Sequence, residues 1–156
     1  RLLLEACKKE GRHTALETAG AGSSADLERV LKCVDLVLFD IKHLDSKRHA
    51  KTTGVPNARI LANLRKAASQ SRIWLRIPLI AGFNDSERHI QEVARLGVEI
   101  GAEKISLLPY HEGGKSKSEQ LGIAYAYCSG KSPGEKRIKK LQSLILQSGL
   151  KVGVGS

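Results

Sequence analysis

Six side chains that can bind ions or exchange protons share one kind of position in this sequence, because each closes or follows a short apolar segment. Four such segments come one after another. The six residues are, in chain order, Glu17, Thr18, Asp40, Lys42, Arg76 and His111. Their carboxylate, hydroxyl, ammonium, guanidinium and imidazole groups could together hold a cation or a ligand that carries both signs of charge.

Asp40 and Lys42 are separated by one residue at the end of a continuous apolar run, so on a strand they share a face. This pair could fix a zwitterionic or carboxylated ligand, or it could be a structural ion pair. Glu17 and Thr18 add hard oxygen atoms that could join Asp40 in binding a cation or a ligand's amino group. The alternative is that Thr18 only ends its strand and Glu17 is solvated.

Arg76 lies within an apolar strand segment, WLRIPL, where an unpaired charge would be costly. A substrate carboxylate, a backbone carbonyl or a neighbouring acid such as Glu17 would supply the partner that it needs. His111 follows the apolar segment that ends in LLPY, and it could donate to a ligand or stack on one.

Hydrophobic periodicity predicts strands that alternate with helices, which is typical of parallel βαβ units. Because the carboxyl ends of parallel strands meet at one edge, the six residues are expected at a single site. Ser24 is predicted to cap the second helix, and Asn84 and Asp85 to cap the helix before Gly101. The predicted strands are 13–18, 36–40, 72–80, 104–108 and 150–154, and the predicted helices are 2–10, 25–33, 45–54, 57–68, 86–100 and 134–147.

Length and composition favour one globular domain over residues 1–156, with 41% apolar and 27% charged residues. No apolar run reaches the roughly 20 residues of a membrane helix, and no signal peptide is evident, so a cytoplasmic protein without membrane contact is expected. The chain opens without Met and without a helix cap, which predicts that a preceding segment is missing. Cys7, Cys33 and Cys128 fit no metal-binding spacing.

The net charge of +10 raises the question of nucleic acid binding. The basic residues are scattered over the outer faces of predicted helices, and aromatic residues for base stacking are few. A solvated surface, or one that docks an acidic protein, is therefore favoured over a nucleic-acid groove.

Four segments in this order and spacing resemble the later strands of glycyl-radical-enzyme activating enzymes of the pyruvate formate-lyase activating type. They are residues 17–20 (ETAG), 40–42 (DIK), 76–85 (RIPLIAGFND) and 108–111 (LPYH). Each segment alone is a weak signal, but the ordered set covers nearly the whole chain.

The resemblance implies an α/β fold, the back portion of a (β/α)6 radical S-adenosylmethionine barrel that is incomplete here. It implies a [4Fe-4S] cluster bound by Cys-x3-Cys-x2-Cys, and reductive cleavage of S-adenosylmethionine to make a radical that abstracts hydrogen from a glycine of a partner enzyme. A flavodoxin or ferredoxin-type protein would donate the electron. The resemblance also implies the site residues. Glu17, Thr18 and Asp40 would lie near the methionine carboxylate, in one version through a monovalent cation. Lys42 and His111 would contact S-adenosylmethionine, and Arg76 would help to place S-adenosylmethionine or the glycine loop.

The chain departs from that family in lacking the cysteine triad and the glycine-rich segment that receives the methionine amino group. We therefore expect this chain alone to bind neither the cluster nor S-adenosylmethionine stably, and to be inactive. Two other interpretations remain open at this point: a barrel aldolase with Lys42 as its Schiff-base nucleophile, and a non-catalytic basic module that binds RNA or an acidic protein.

Overall fold

The structure is a computed structural model, and it describes residues 1–110 and 130–155. Helices and strands alternate along nearly all of this length, as the periodicity predicted. The helices are α1 (Leu2–Lys9), α2 (Ser24–Leu31), α3 (Ser46–Thr53), α4 (Ala58–Ala68), α5 (Glu87–Glu99) and α6 (Glu135–Leu146), and the strands are β1 (Ala15–Thr18), β2 (Leu36–Asp40), β3 (Arg72–Leu79), β4 (Lys104–Pro109) and β5 (Lys151–Val154).

All strand pairs are parallel, and the strands lie in chain order, β1-β2-β3-β4-β5. The described strands form an open sheet with β1 and β5 at its edges, so the predicted parallel α/β architecture with an incomplete barrel is confirmed. Since every strand runs in the same direction, the ends of β1 to β4 lie along one edge of the sheet.

The two faces of the sheet differ in burial. Along β3, Ile73, Leu75, Ile77 and Leu79 are fully buried, whereas the residues between them are exposed or half-buried. The buried face packs against the helices and makes the core, which includes Phe39, Leu64, Ile90, Leu107, Leu141 and Ile145. On the opposite face of the sheet, polar side chains lie at the ends of the strands.

Three polar side chains cap the N-termini of the helices that follow the loops along that edge. Ser23, Asp45 and Ser86 each accept a hydrogen bond from a backbone N–H of the first turn, which is the usual stabilisation of an N-terminus. The predicted cap at Ser24 is therefore off by one residue, and the predicted caps at Asn84 and Asp85 are wrong. No helix of the described ranges has the length and apolar character to cross a membrane.

Candidate functional site

The register of the sheet places Glu17, Asp40 and Arg76 on the same face. Asp40 is directly opposite Arg76 on the neighbouring strand, while Glu17 is opposite Leu38, two residues before Asp40. Paired positions of neighbouring strands share a face, and so do residues two apart on one strand. Three of the six predicted site residues are therefore brought together by backbone geometry.

Arg76 joins the two acids. Its terminal nitrogens lie 2.7 Å from the two carboxylate oxygens of Glu17, which makes a bidentate pair, and its Nε lies 3.1 Å from Oδ1 of Asp40. The hydrogen bond to Glu17 is the main cause that raises the pKa of the Arg76 guanidinium; burial opposes this, and the negative charge of Asp40 adds to it. The sequence-based alternative of Glu17 as the partner of Arg76 is confirmed.

Lys42 extends the cluster on the other side of Asp40. Its Nζ donates to Oδ2 of Asp40 at 2.8 Å, so Asp40 lies between two cations. Asp40 and Arg76 are the most buried of the four, with side chains 13% and 19% exposed. We call Glu17, Asp40, Lys42 and Arg76 the charge quartet.

Two atoms of the charge quartet are buried without a hydrogen bond of good geometry, Oδ1 of Asp40 and Nε of Arg76. They lie 3.1 Å apart, so they attract each other as charges although the donor direction is unfavourable. Buried polar atoms in proteins nearly always have a partner. A polar ligand at the strand ends could supply one to each atom.

Thr18 is placed differently from the quartet. It is opposite Phe39 in the register, so its side chain points to the helix-covered face, and its hydroxyl accepts a hydrogen bond from the Gly20 N–H at 3.0 Å. Within the described residues, no group of three or more His, Cys, Asp or Glu side chains could hold a metal ion. The cation site predicted at Glu17, Thr18 and Asp40 remains a prediction.

His111 lies outside the described residues, as does Cys128. The described chain next to His111 ends with Tyr110, whose N–H donates to the carbonyl of Leu79 at 3.0 Å. Of the other cysteines, Cys33 is buried and Cys7 is half-buried.

Three buried asparagines connect the loops around the quartet. The sequence interpretation missed this role. Asn84 donates to the carbonyls of Lys42 and Pro78 at 3.0 and 2.8 Å and accepts from the Ile80 N–H at 2.8 Å. It therefore joins the segments that follow β2 and β3. The only sequence signal is the position of Asn84 after a strand, which fits a cap equally well.

The other two asparagines do the same for neighbouring loops. Asn57 donates to the carbonyls of His43 and Leu44 at 3.0 and 2.6 Å. Asn63, on α4, donates to the carbonyls of Gly20 and Gly22 at 2.8 and 3.1 Å. Asn63 carried a sequence signal, since it lies among apolar residues on the inner side of a predicted helix. Together the three amides hold the backbone from which the quartet projects.

Two buried histidines stack on each other: His43, which follows Lys42 in the chain, and His89 on α5. The rings of His43 and His89 are 4.3 Å apart and nearly parallel, and Phe83 packs on His43. Both rings are buried, and neither ring nitrogen of His89 has a hydrogen bond. Burial lowers the pKa of His89 to about 4, with the neighbouring His43 as a smaller cause. Both features favour a neutral His89 in the folded protein.

Comparison with known proteins gives a consistent group of relatives. No family model matches the chain. The 4-hydroxyphenylacetate decarboxylase activating enzyme of Clostridioides difficile (strain CD196) is 36% identical over 152 residues, which is 96% of this chain and 48% of that protein. The pyruvate formate-lyase 1-activating enzyme of Escherichia coli (strain K12) is 33% identical over 151 residues, 94% of this chain and 61% of that protein.

The fold agrees with the sequence relationship. A crystal structure of a domain of pyruvate-formate lyase-activating enzyme from Bacteroides vulgatus ATCC 8482 superposes with a TM-score of 0.80 at 29% identity, and covers 99% of this chain and 88% of that one. The chain spans about half the length of the curated relatives it matches. By sequence and by fold, the chain is therefore a homologue of the glycyl-radical-enzyme activating enzymes, within the radical S-adenosylmethionine fold.

Proposed function

We propose that the protein to which this chain belongs cleaves S-adenosylmethionine reductively and thereby generates a glycyl radical on a partner enzyme. The observation that carries the proposal is the charge quartet at the strand ends of a chain related to activating enzymes. A site for a methionine-type ligand needs both signs of charge within a few ångströms. The quartet offers two carboxylates, one ammonium and one guanidinium.

The methionine part of the ligand suits this balance. Its ammonium group could donate to Asp40 or Glu17, and its carboxylate could accept from Arg76 or Lys42, in charge-assisted hydrogen bonds. The buried Oδ1 of Asp40 and Nε of Arg76 lack well-directed partners, so they are the atoms with most to gain. His111 is proposed as a further contact to S-adenosylmethionine.

We also propose that Glu17, Thr18 and Asp40 would hold a monovalent cation near the methionine carboxylate. Oxygen atoms from acids and hydroxyls are suitable ligands for such an ion. For its hydroxyl to take part, Thr18 would have to turn, because its side chain points to the helix-covered face, away from Glu17 and Asp40. Arg76 would then move from Glu17 towards the ligand.

The residues described here do not fit an iron–sulfur cluster. Such a cluster is held by closely spaced cysteine thiolates, and the chain has only Cys7, Cys33 and Cys128. In the activating enzymes the cluster supplies the electron for the cleavage. We therefore expect that iron and sulfide reconstitution of this chain alone leaves no stable [4Fe-4S] absorption band. One cluster per chain would contradict that expectation.

The partner is proposed as a glycyl-radical enzyme, with a flavodoxin or ferredoxin-type electron donor, in the cytoplasm and without nucleic acid. The relatives named above are activating enzymes of a 4-hydroxyphenylacetate decarboxylase and of a pyruvate formate-lyase. These names differ in the enzyme that is activated. The relatives therefore support a glycyl-radical enzyme as the class of partner better than they support any single enzyme of that class.

The experiment is a titration of the protein to which this chain belongs with S-adenosylmethionine, followed by isothermal calorimetry. In Arg76→Met we expect Kd to rise about tenfold or more, because a charge-assisted bond is lost.

The matched control is Arg72→Met, on the same strand and face. Arg72 pairs with Glu103, at 2.6 Å, and with none of the quartet. Its calorimetric Kd should stay within about twofold of the wild type, well under the tenfold change that 1.4 kcal/mol produces. Equal losses in both variants, or no binding by the wild type, would refute the quartet as the ligand site.

A further inference from the structure

A cleft of about 340 Å³ lies where α3 meets α4, beside the loop that follows β1. Its walls are mainly apolar, and Ile60 at its base is buried whereas Val55 is 44% exposed. The lining residues are Ala21, Val55, Pro56, Ala58, Arg59 and Ile60. The cleft shares no lining residue with the charge quartet.

Polar side chains hold the α3–α4 wall of this cleft in place, and two of them, His49 and Asn57, are buried. The Nδ1 atom of His49, which is buried on α3, lies 2.7 Å from the carbonyl oxygen of Val55, and the Thr53 hydroxyl donates to the same carbonyl at 3.2 Å. Asn57 anchors the start of α4 to the segment after β2. The loop that carries the exposed Val55 is therefore held in place at both ends.

Asn63 fixes the wall on the other side. Its amide donates to the carbonyls of Gly20 and Gly22, which flank Ala21. Both walls are thus ordered by side chains that are themselves buried. A surface whose shape is set before binding loses less conformational entropy when a partner arrives, which is the general advantage of preorganised sites.

One cation, Arg59, lines the cleft itself. Lys47 and Lys51 lie one turn apart on α3, hence on the same side of the helix that leads into Val55. None of the three forms an ion pair with another residue in the part of the chain that the structure describes. On the neighbouring helices, by contrast, Arg29 pairs with Asp26, Lys66 with Glu28, and Arg65 with Glu99.

We propose that the cleft docks an acidic protein segment, which inserts one aliphatic side chain between the walls and places carboxylates on Arg59 and on Lys47 and Lys51 of α3. The inference deepens the proposed function and rests on it, since the segment would belong to the partner that carries the glycine. No lining residue is aromatic, so the surface offers no platform for stacking nucleic acid bases.

The test uses fluorescence anisotropy with a short fluorescein-labelled peptide that has a central leucine between glutamate pairs. The K47E/K51E variant should weaken binding about tenfold, because two attractive surface pairs become repulsive. The matched control is K136E/K139E, which makes the same change in net charge at two exposed positions of α6 and should bind like the wild type. Val55→Ser should weaken binding about threefold to fivefold through lost apolar contact.

Three further probes separate the proposal from its rivals. A peptide with serine in place of the central leucine should bind less tightly, and an oligouridylate of equal charge should bind less tightly still. Equal weakening by the two double variants, equal binding of the two peptides, tighter binding of the RNA, or no binding of the leucine peptide would each overturn the proposal. The S-adenosylmethionine titration of the same variants keeps the two ideas apart, because the docking surface includes no residue of the quartet.

Discussion

Asn84 offers the sharpest test of how the loops around the quartet are held. Asn84→Ala removes two donated hydrogen bonds, to the carbonyls of Lys42 and Pro78, and one accepted from the Ile80 N–H. The side chain is fully buried, so water cannot readily replace these partners. The substitution therefore leaves backbone groups without partners at the ends of two central strands.

The expected loss can be estimated from the three bonds. A buried hydrogen bond contributes about 1 kcal/mol net, and a partner left unsatisfied costs about 1–3 kcal/mol. We expect Asn84→Ala to lower the free energy of unfolding by about 2–4 kcal/mol. Ser86→Ala removes only the cap of α5, whose hydroxyl accepts from the His89 N–H at 3.3 Å, and should cost about 1 kcal/mol.

Urea unfolding, followed by circular dichroism, measures both losses. With a slope of about 2 kcal/mol per molar, a loss of 3 kcal/mol lowers the midpoint by about 1.5 M, and the Ser86 variant should shift it by about 0.5 M. If Asn84 were only a helix cap, as its sequence position suggested, the two variants would shift the midpoint alike. A shift for Asn84→Ala no larger than that for Ser86→Ala would therefore refute the bridging role.

Two other predictions concern stability. Gly20→Ala should cost more than about 2 kcal/mol in thermal unfolding, because Gly20 has φ +68° and a Cβ there would clash with the Phe39 ring. Gly22→Ala has open space around the new Cβ and should cost little. His89→Phe, which keeps an aromatic ring against His43, should remove a pH-dependent loss of stability. Because the pKa of His89 is lowered to about 4 in the folded protein, His89 takes up a proton near pH 6.5 only in the unfolded chain. The free energy of unfolding of the wild type should therefore fall by up to about 3 kcal/mol between pH 7 and pH 4. The variant should lose correspondingly less.

The placement of the quartet could be predicted because it depends on two periodicities that the sequence displays. β2 is a continuous apolar run that ends in Asp40, and the alternation along β3 puts Arg76 opposite the apolar core face. Parallel strands then bring their ends together whatever the details of the helices between them. Arg76 also had to find an acid nearby, because an unpaired guanidinium at that depth would be costly.

The direction of Thr18 and the role of Asn84 could not be obtained in the same way. Thr18 and Glu17 are neighbours in the chain, and only the register decides which of them faces Arg76. A shift of one residue would exchange them. Asn84 depends on contacts between segments 42 residues apart in the chain, for which local sequence gives no sign.

The distribution of burial within the quartet suggests how a ligand could enter. A buried ion pair contributes little to stability compared with apolar residues of similar size, so folding alone poorly explains the presence of Asp40 and Arg76 within the sheet. Glu17 is 61% exposed, and its bond to Arg76 is screened by water, whereas Asp40 is held on both sides by cations. Glu17 is thus the partner that Arg76 can exchange at small cost. A ligand carboxylate could take its place while Asp40 and Lys42 stay in position, and the site would need no larger rearrangement of the sheet.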